Sequence, residues 1–211
     1  MTKYIFKYSL LISLVATTIW LSSCKDNDTT PLPILGRPTI VNGDTIPHTI
    51  PSFNFTNQNK EAITNKDLQP YLYISDFFFM SCPTICPKVK KQMLRIYKKY
   101  ESNPQIKLVS HTLDPKRDTP ERLKMYAENL DVDHQKWYFL HGDKDDIFDI
   151  ADDYFVAAFE DPDAPGGLDH SGKIILVDKS GHVRGFAEGT EPDEVTDFFS
   201  DIDKLLKEYA Q

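Results

Sequence analysis

The chain has 211 residues, of which 40% are hydrophobic and 12% aromatic, and its formal net charge is −8. This apolar content is enough for one well-packed domain and excludes a wholly disordered chain. The acidic balance, without a long basic run, argues against a nucleic-acid partner.

The first 24 residues have the layout of a bacterial export signal. MTKYIFKYSLLISLVATTIWLSSC has a short basic start, an apolar stretch from about Leu10 to Leu21, and small residues before Cys24. The apolar stretch is shorter than the roughly 20 residues of a membrane span. Its ending resembles a lipobox, in which the cysteine is acylated; a plain signal peptide or an anchor helix is the alternative. We therefore expect a lipoprotein signal peptide over residues 1–23 and a lipid anchor on Cys24. The protein would be an extracytoplasmic, membrane-anchored bacterial lipoprotein at the periplasmic face or in the cell envelope.

Residues 24–38 are polar and rich in proline, which predicts a flexible tether that leads from the lipidated cysteine. The folded domain is expected over residues 39–211. Its first part contains two hairpin signals: TIVNGDTI turns at Asn42 and Gly43, and SFNFTNQNKEAIT turns around residues 57–59. The sequence therefore predicts β-hairpins added before the main fold.

The remaining chain alternates between strand patterns and helix patterns. The continuous apolar run YLYISDFFF is typical of a strand buried on both faces, and Thr119 followed by Pro120 is a strong helix start. Strands are expected over 71–79, 106–114 and 137–142, helices from Cys86, from Pro120, over 144–155 and over 191–209, and a hairpin over 173–187. This order predicts an α/β domain of thioredoxin-like architecture, with a central mixed sheet flanked by helices.

Cys82 and Cys86 lie where the first buried strand gives way to a helix, in the stretch FFFMSCPTICPKV. A helix N-terminus favours the thiolate form, which attacks disulfides and binds metals. A separation of four puts both residues on one helical face, with Cα atoms about 6 Å apart, inside the disulfide range. A structural staple, a redox-active dithiol and a pair of metal ligands are all compatible with this spacing.

A metal site would need a further ligand, and the chain has six histidines. Two thiolates suit Cu(I), and an added imidazole also suits Cu(II) or zinc. His170 has the best context, because it ends a long loop rich in glycine and proline just before a predicted strand. Spacing alone does not rank it far above His111 or His141.

Four stretches together resemble the Sco/SenC family of thioredoxin-fold copper proteins of cytochrome c oxidase assembly. They are DFFFMSCPTICPKVKKQM, LDPKRDTPERLKMYAENL, WYFLHG and DHSGKIILVDKSGHV, in that order. The resemblance implies copper ligation by Cys82, Cys86 and His170, with Asp114 as an auxiliary group near the site. It leaves Arg117 and Asp118 as structural residues, as a local pair or a helix lead-in. His111 and His141 depart from the family pattern, either as simple substitutions or as extra weak metal sites.

The resemblance implies a copper chaperone that holds one copper, as Cu(I) and/or Cu(II), and delivers it to the dinuclear copper centre of cytochrome c oxidase. The alternative is a thiol–disulfide oxidoreductase that uses Cys82 and Cys86 to reduce the cysteines of that centre. Whether the protein is an enzyme therefore stays open. The implied partners are the copper-bearing oxidase subunit, another copper donor or a thiol reductant, and the membrane through the lipid anchor.

Overall fold

The computed structural model describes residues 30–210. The predicted signal peptide, Cys24 and the first part of the predicted tether lie outside the described residues. Within the described range, no helix has the length and apolar character required to cross a bilayer.

A five-stranded mixed sheet forms the centre of the domain. Its strands are β5 (Leu72–Phe78), β6 (Ile106–Thr112), β7 (Trp137–Leu140), β10 (Lys173–Val177) and β11 (Val183–Glu188). Their order across the sheet is β11-β10-β5-β6-β7. β5, β6 and β7 are parallel, whereas β10 runs antiparallel to both β5 and β11. Every residue of β5 and β6 is buried, which fits the mainly apolar run predicted to form β5. The predicted mixed sheet is confirmed.

Helices flank this sheet as predicted. They are the short α1 (Asn65–Leu68), α2 (Cys86–Tyr100), α3 (Pro120–Asn129), α4 (Lys144–Asp153) and α5 (Pro192–Glu208). In α2 the buried residues recur at helical spacing, including Val89, Met93 and Ile96. A proline in the first turn of α2, α3 and α5 fits a position where the missing N–H has no intrahelical partner anyway.

Two short hairpins precede the sheet, as the turn signals predict. β1 (Thr39–Val41) pairs with β2 (Asp44–Ile46), and β3 (Asn54–Thr56) pairs with β4 (Ala62–Thr64). The first turn places Asn42 and Gly43 at positive φ, which these two residue types tolerate best. The second hairpin reaches the edge of the central sheet through backbone hydrogen bonds between Thr56 and His141.

The segment before β10 differs from the prediction of one long loop. The structure forms a further hairpin of β8 (Ala158–Glu160) and β9 (Leu168–His170), joined by residues 161–167. Positive φ values at Gly166 and Gly167 shape this connection. Four of the seven connecting residues are Pro or Gly, and two strands of three residues are too short to leave a periodic signal.

The last residues of the predicted tether are hydrogen-bonded to the domain. The Leu32 amide donates to Glu208, and the Arg184 guanidinium donates to the carbonyl oxygens of Leu32 and Pro33. The Leu35 amide donates to the carbonyl of Val183 at 2.8 Å. These contacts extend the ordered domain to Leu32, ahead of the expected start at Thr39.

Candidate metal centre

The two cysteines lie just beyond the carboxyl end of β5, where the chain turns into α2. The Cys82 amide donates to the carbonyl of Phe79 at 3.2 Å, which fixes the turn. Cys86 is the first residue of α2, and Pro87 follows it. Both cysteines are free thiols and both are buried.

His170 is the last residue of β9, and a backbone group sets the orientation of its ring. Its Nδ1 lies 3.0 Å from the carbonyl oxygen of Ser171. Because a carbonyl oxygen only accepts, Nδ1 carries the proton and Nε2 presents its lone pair. Nε2 lies 3.3 Å from Cys86 Sγ, so the imidazole lone pair is directed at that sulfur.

The two sulfurs and the imidazole nitrogen form one cluster. The ligand atoms of Cys82, Cys86 and His170 all lie within 4.8 Å of one another, and all three residues are buried. Metal–sulfur and metal–nitrogen bonds are about 2.0–2.3 Å, so the ligands of one ion lie within roughly 4.5 Å of one another. A small inward movement of these side chains would let all three reach one ion.

The two thiols differ in acidity. Burial raises the pKa of the Cys82 thiol, but hydrogen bonds from Cys86 and Thr84 outweigh that effect, and the pKa lies below its ordinary value. Burial raises the pKa of the Cys86 thiol well above its ordinary value, and its hydrogen bond to Cys82 adds to the rise. Cys82 is therefore the thiol that ionises first, with Cys86 as the proton donor beside it.

The imidazole of His170 is held in its neutral form. Burial lowers the pKa of His170, and the hydrogen bond to the carbonyl of Ser171 offsets this only in part. The ring of Phe79 lies edge-on to it, with centroids 5.8 Å apart. A neutral imidazole beside one acidic thiol is a donor set for a soft or borderline metal ion.

Asp114 lies in the loop after β6 and is not part of the three-residue cluster. Its carboxylate accepts hydrogen bonds from the side chain and the backbone of Arg117. Arg117 and Asp118 do not pair with one another. Arg117 pairs with Asp114, whereas the Asp118 carboxylate accepts from the Met80 amide and the Thr112 hydroxyl.

His111 and His141 both lie apart from the cluster. His111 is fully buried near the carboxyl end of β6, where its ring stacks on Phe77 with centroids 4.7 Å apart. Burial lowers the pKa of His111 to about 3, so it is a neutral core residue. His141 is half-buried, and its Nε2 donates to the carbonyl of Pro115 at 3.1 Å. Among the described residues, neither belongs to a group of converging metal ligands.

Phe79 and Ser171 contribute to the site without any signal in the sequence analysis. The ring of Phe79 lies beside that of His170, and the Phe79 carbonyl accepts a hydrogen bond from the Cys82 amide. The carbonyl of Ser171 orients the imidazole. Ser171 acts through its backbone carbonyl and Phe79 through its carbonyl as well as its ring, and side-chain motifs do not reveal backbone contacts.

Comparison with known proteins places this geometry in a family. The family model described as SCO1/SenC matches residues 43–207. A SCO1/SenC family lipoprotein from Bacillus anthracis has a TM-score of 0.68 and 27% identity, with 75% of this chain and 95% of that chain covered. BsSco, described with a disulfide switch and as a member of the Sco family of cytochrome c oxidase assembly proteins, has a TM-score of 0.65 and 27% identity, with 80% and 97% covered. Bradyrhizobium japonicum ScoI with copper bound has a TM-score of 0.57 and 26% identity, with 72% and 98% covered. Since the family model spans most of the domain, the chain belongs to the SCO1/SenC family.

Proposed function

We propose that this protein is a copper chaperone. It binds one copper ion through Cys82, Cys86 and His170 and passes it to the dinuclear copper centre of a cytochrome c oxidase. The observation that carries the proposal is the convergence of two thiols and one neutral imidazole within 4.8 Å. Asp114 serves as an auxiliary group that holds the surrounding loop through Arg117.

The chemistry of the donors supports copper as the cargo. Thiolate sulfur and imidazole nitrogen together suit both oxidation states of copper, whereas harder ions prefer oxygen ligands. The related ScoI of Bradyrhizobium japonicum, with 26% identity, has copper bound. Transfer would proceed by ligand exchange, in which thiolates of the acceptor replace these ligands one at a time.

The same pair of thiols supports a second function, thiol–disulfide exchange. Cys82 is the more acidic thiol and Cys86 lies beside it, so a Cys82 thiolate can attack a partner disulfide and Cys86 can resolve the mixed disulfide. The dithiol would lose two electrons and two protons to the partner, which would become a dithiol. The disulfide switch described for BsSco fits this reading.

The site of action follows from the lipid anchor. We infer that residues 1–23 are removed, that Cys24 is acylated, and that the tether leads from there to the domain. The related Bacillus anthracis protein is described as a lipoprotein. A Cys24→Ser variant, expressed in a bacterial host, should move from the membrane fraction to the aqueous fraction; retention in the membrane would contradict the anchor.

Metal analysis of the purified chain from Lys25 onward tests the main proposal. We expect one copper per chain after addition of Cu(I) in an anaerobic reducing buffer or of Cu(II) in an anaerobic buffer without reductant, with a thiolate-to-copper charge-transfer band for Cu(II). Replacement of both Cys82 and Cys86 by serine should abolish that band. Failure of the unmodified chain to retain either ion would overturn the chaperone and leave the oxidoreductase.

A further inference from the structure

The loop between β6 and α3, residues 113–118, touches both chain segments that carry the proposed ligands. We name this loop the brace. It contains the DPKRD part of a stretch that the family resemblance includes, yet only Asp114 is assigned a role near the site. The Asp118 side chain contacts the segment that carries the cysteines, and the Arg117 side chain contacts the segment that carries His170.

One arm of the brace is Asp118, which is fully buried. Its Oδ2 accepts the Met80 amide at 2.9 Å and the Thr112 hydroxyl at 2.7 Å. Met80 precedes Cys82 by two residues, so this carboxylate fixes the backbone where the cysteine segment leaves β5. A hydrogen bond to a buried carboxylate is stronger than one between neutral groups.

The other arm is Arg117. Its Nε donates to the carboxylate of Asp114, and its Nη2 donates to the carbonyl of Gly166 at 2.9 Å. Gly166 lies in the turn between β8 and β9, four residues before His170. Asp114 is buried and holds the guanidinium in place, so Arg117 anchors the histidine-bearing hairpin to the brace.

The two anchored segments press against one another at Gly166 and Phe79. A Cβ added at Gly166 would lie 2.6 Å from the ring of Phe79, which is closer than such atoms approach. The Phe79 ring in turn borders His170, and its carbonyl accepts the Cys82 amide. The brace, the cysteine segment and the histidine hairpin therefore form a closed ring of contacts.

The hairpin depends on such contacts, because β8 and β9 form a two-stranded sheet separate from the central one. A two-stranded hairpin alone is marginally stable in water. His170 is 84 residues from Cys86 along the chain, so nothing covalent nearby sets their separation. Arg117 supplies one stabilising contact, a charge-assisted hydrogen bond to the turn that leads into β9.

We propose that Arg117 and Asp118 are positioning residues of the metal centre: Asp118 fixes the cysteine segment, Arg117 fixes the histidine segment, and the brace sets the distance between thiols and imidazole. This inference rests on the proposed copper function. When Arg117 is hydrogen-bonded to Gly166, the site offers two sulfurs and one imidazole, which suits Cu(II). Without that hydrogen bond the imidazole is no longer held beside the thiols, and the two thiolates alone suit Cu(I).

The test compares Arg117→Ala with Lys124→Ala, which removes the same charge from an exposed position on α3. In metal-free Arg117→Ala, the amide hydrogens of Gly167 and Ser171 should exchange with solvent about tenfold faster than in the unmodified protein, as expected for loss of a charge-assisted hydrogen bond. The His170 ring signals should broaden in NMR spectra. Lys124→Ala should change neither, and unchanged exchange in Arg117→Ala would overturn the proposal whether or not the protein binds copper.

Copper binding gives the second readout. Arg117→Ala should weaken Cu(II) binding by roughly 10–100-fold, the usual effect of losing a partner that orients a ligand, and should reduce imidazole nitrogen coupling in pulsed EPR spectra. Cu(I) binding should change less, because both thiolates remain. Arg117→Lys, which keeps the charge but not the forked geometry, should recover only part of the loss. Equal weakening of Cu(I) and Cu(II) would contradict the assigned role.

Asp118 is tested by a matched pair of variants. Asp118→Asn keeps an oxygen that accepts from Met80 and Thr112, so it should retain both copper affinities. Asp118→Ala should disturb the Cys82 segment, and it should speed alkylation of the thiols. If Asp118→Ala does not fold, Thr112→Val removes one of the two bonds to the same carboxylate oxygen and should give a smaller change in alkylation rate. Unchanged alkylation in Asp118→Ala, or in Thr112→Val where Asp118→Ala does not fold, would remove Asp118 from the proposal.

Discussion

Cys86 Sγ and His170 Nε2 lie 3.3 Å apart although 84 residues separate them in the chain. Cys86 opens α2, and His170 closes β9 beside the strand that pairs with β5. The imidazole lone pair is directed at the sulfur because the Nδ1 proton is bound by the carbonyl of Ser171. This relationship makes His170 the group that distinguishes a copper site from a simple dithiol.

His170→Ala should therefore separate the two functions. We expect Cu(II) affinity to fall by more than the ~10–100-fold that loss of an outer-shell partner costs. Cys82 and Cys86 should still close into a disulfide under oxidant. Copper stoichiometry, EPR spectroscopy and thiol titration measure these properties, and His134→Ala on the half-buried His134 serves as control. A variant that still holds one tight Cu(II) would refute the three-ligand site.

Gly166→Ala should destabilise the protein more than Gly167→Ala does. Both glycines have positive φ, so alanine is strained at either position, by about 1 kcal/mol. Only the added Cβ at Gly166 meets another group, the Phe79 ring at 2.6 Å. Chemical unfolding should thus show the larger loss for Gly166→Ala, together with weaker Cu(II) binding. Equal losses in the two variants would show that the contact with Phe79 is not limiting.

Much of this fold is predictable because its elements are locally encoded. The mainly apolar run of β5 and the Thr119–Pro120 start of α3 each carry a strong local pattern. The pairing of β10 with β5 is not local, and that pairing brings His170 to the cysteines. Spacing therefore could not rank His170 above the other histidines, and the family resemblance supplied that choice.

His111 shows why a sequence alone also does not exclude a histidine as a metal ligand. His111 occupies an inward position of an apolar strand, among the rings of Phe53, Phe55 and Phe77. A sequence shows a histidine there but not the aromatic shell around it, because two of those rings come from β3 and the residue before it. The separate partners of Arg117 and Asp118 escaped prediction for a similar reason, since each is recruited from a distant segment.

Gln58 provides another contact that the sequence does not reveal, and it leads to a stability prediction. Its side chain donates to the carbonyl of Trp137 at 2.8 Å and accepts from the amide of Phe139 at 2.9 Å, both on edge strand β7. Gln58→Ala leaves two buried backbone groups unpaired, which should cost about 2–4 kcal/mol of unfolding free energy. Gln135→Ala, at an exposed position, should cost little. Urea unfolding measures both variants. If Gln58→Ala loses no more unfolding free energy than Gln135→Ala does, the role of Gln58 is contradicted.

Asp76 gives the protein an unusual buried carboxyl in the middle of β5. Burial raises its pKa to about 7, and the hydrogen bond from Ser110 and the charge of Lys90 offset this only in part. The Ser110 hydroxyl donates to Asp76 because its own oxygen accepts from Trp137 Nε1 at 2.8 Å. The folded protein thus binds the Asp76 proton more tightly than the unfolded chain, whose ordinary carboxyl pKa is 3.8.

Asp76→Asn should remove a pH dependence of stability. Because the folded pKa is the higher one, the stabilisation by protonated Asp76 is complete below about pH 4 and is lost as pH rises through 7. Asparagine keeps the acceptor for Ser110 but never ionises, so the stability of the variant relative to the unmodified protein should rise between pH 4 and 8. The change should be about 4 kcal/mol, at roughly 1.4 kcal/mol for each pKa unit. Urea unfolding of the reduced proteins at several pH values measures it, with Asp152→Asn at an exposed position of α4 as control. A difference between Asp76→Asn and the unmodified protein that stays constant over this range would mean that Asp76 remains ionised in the fold, held there by Lys90.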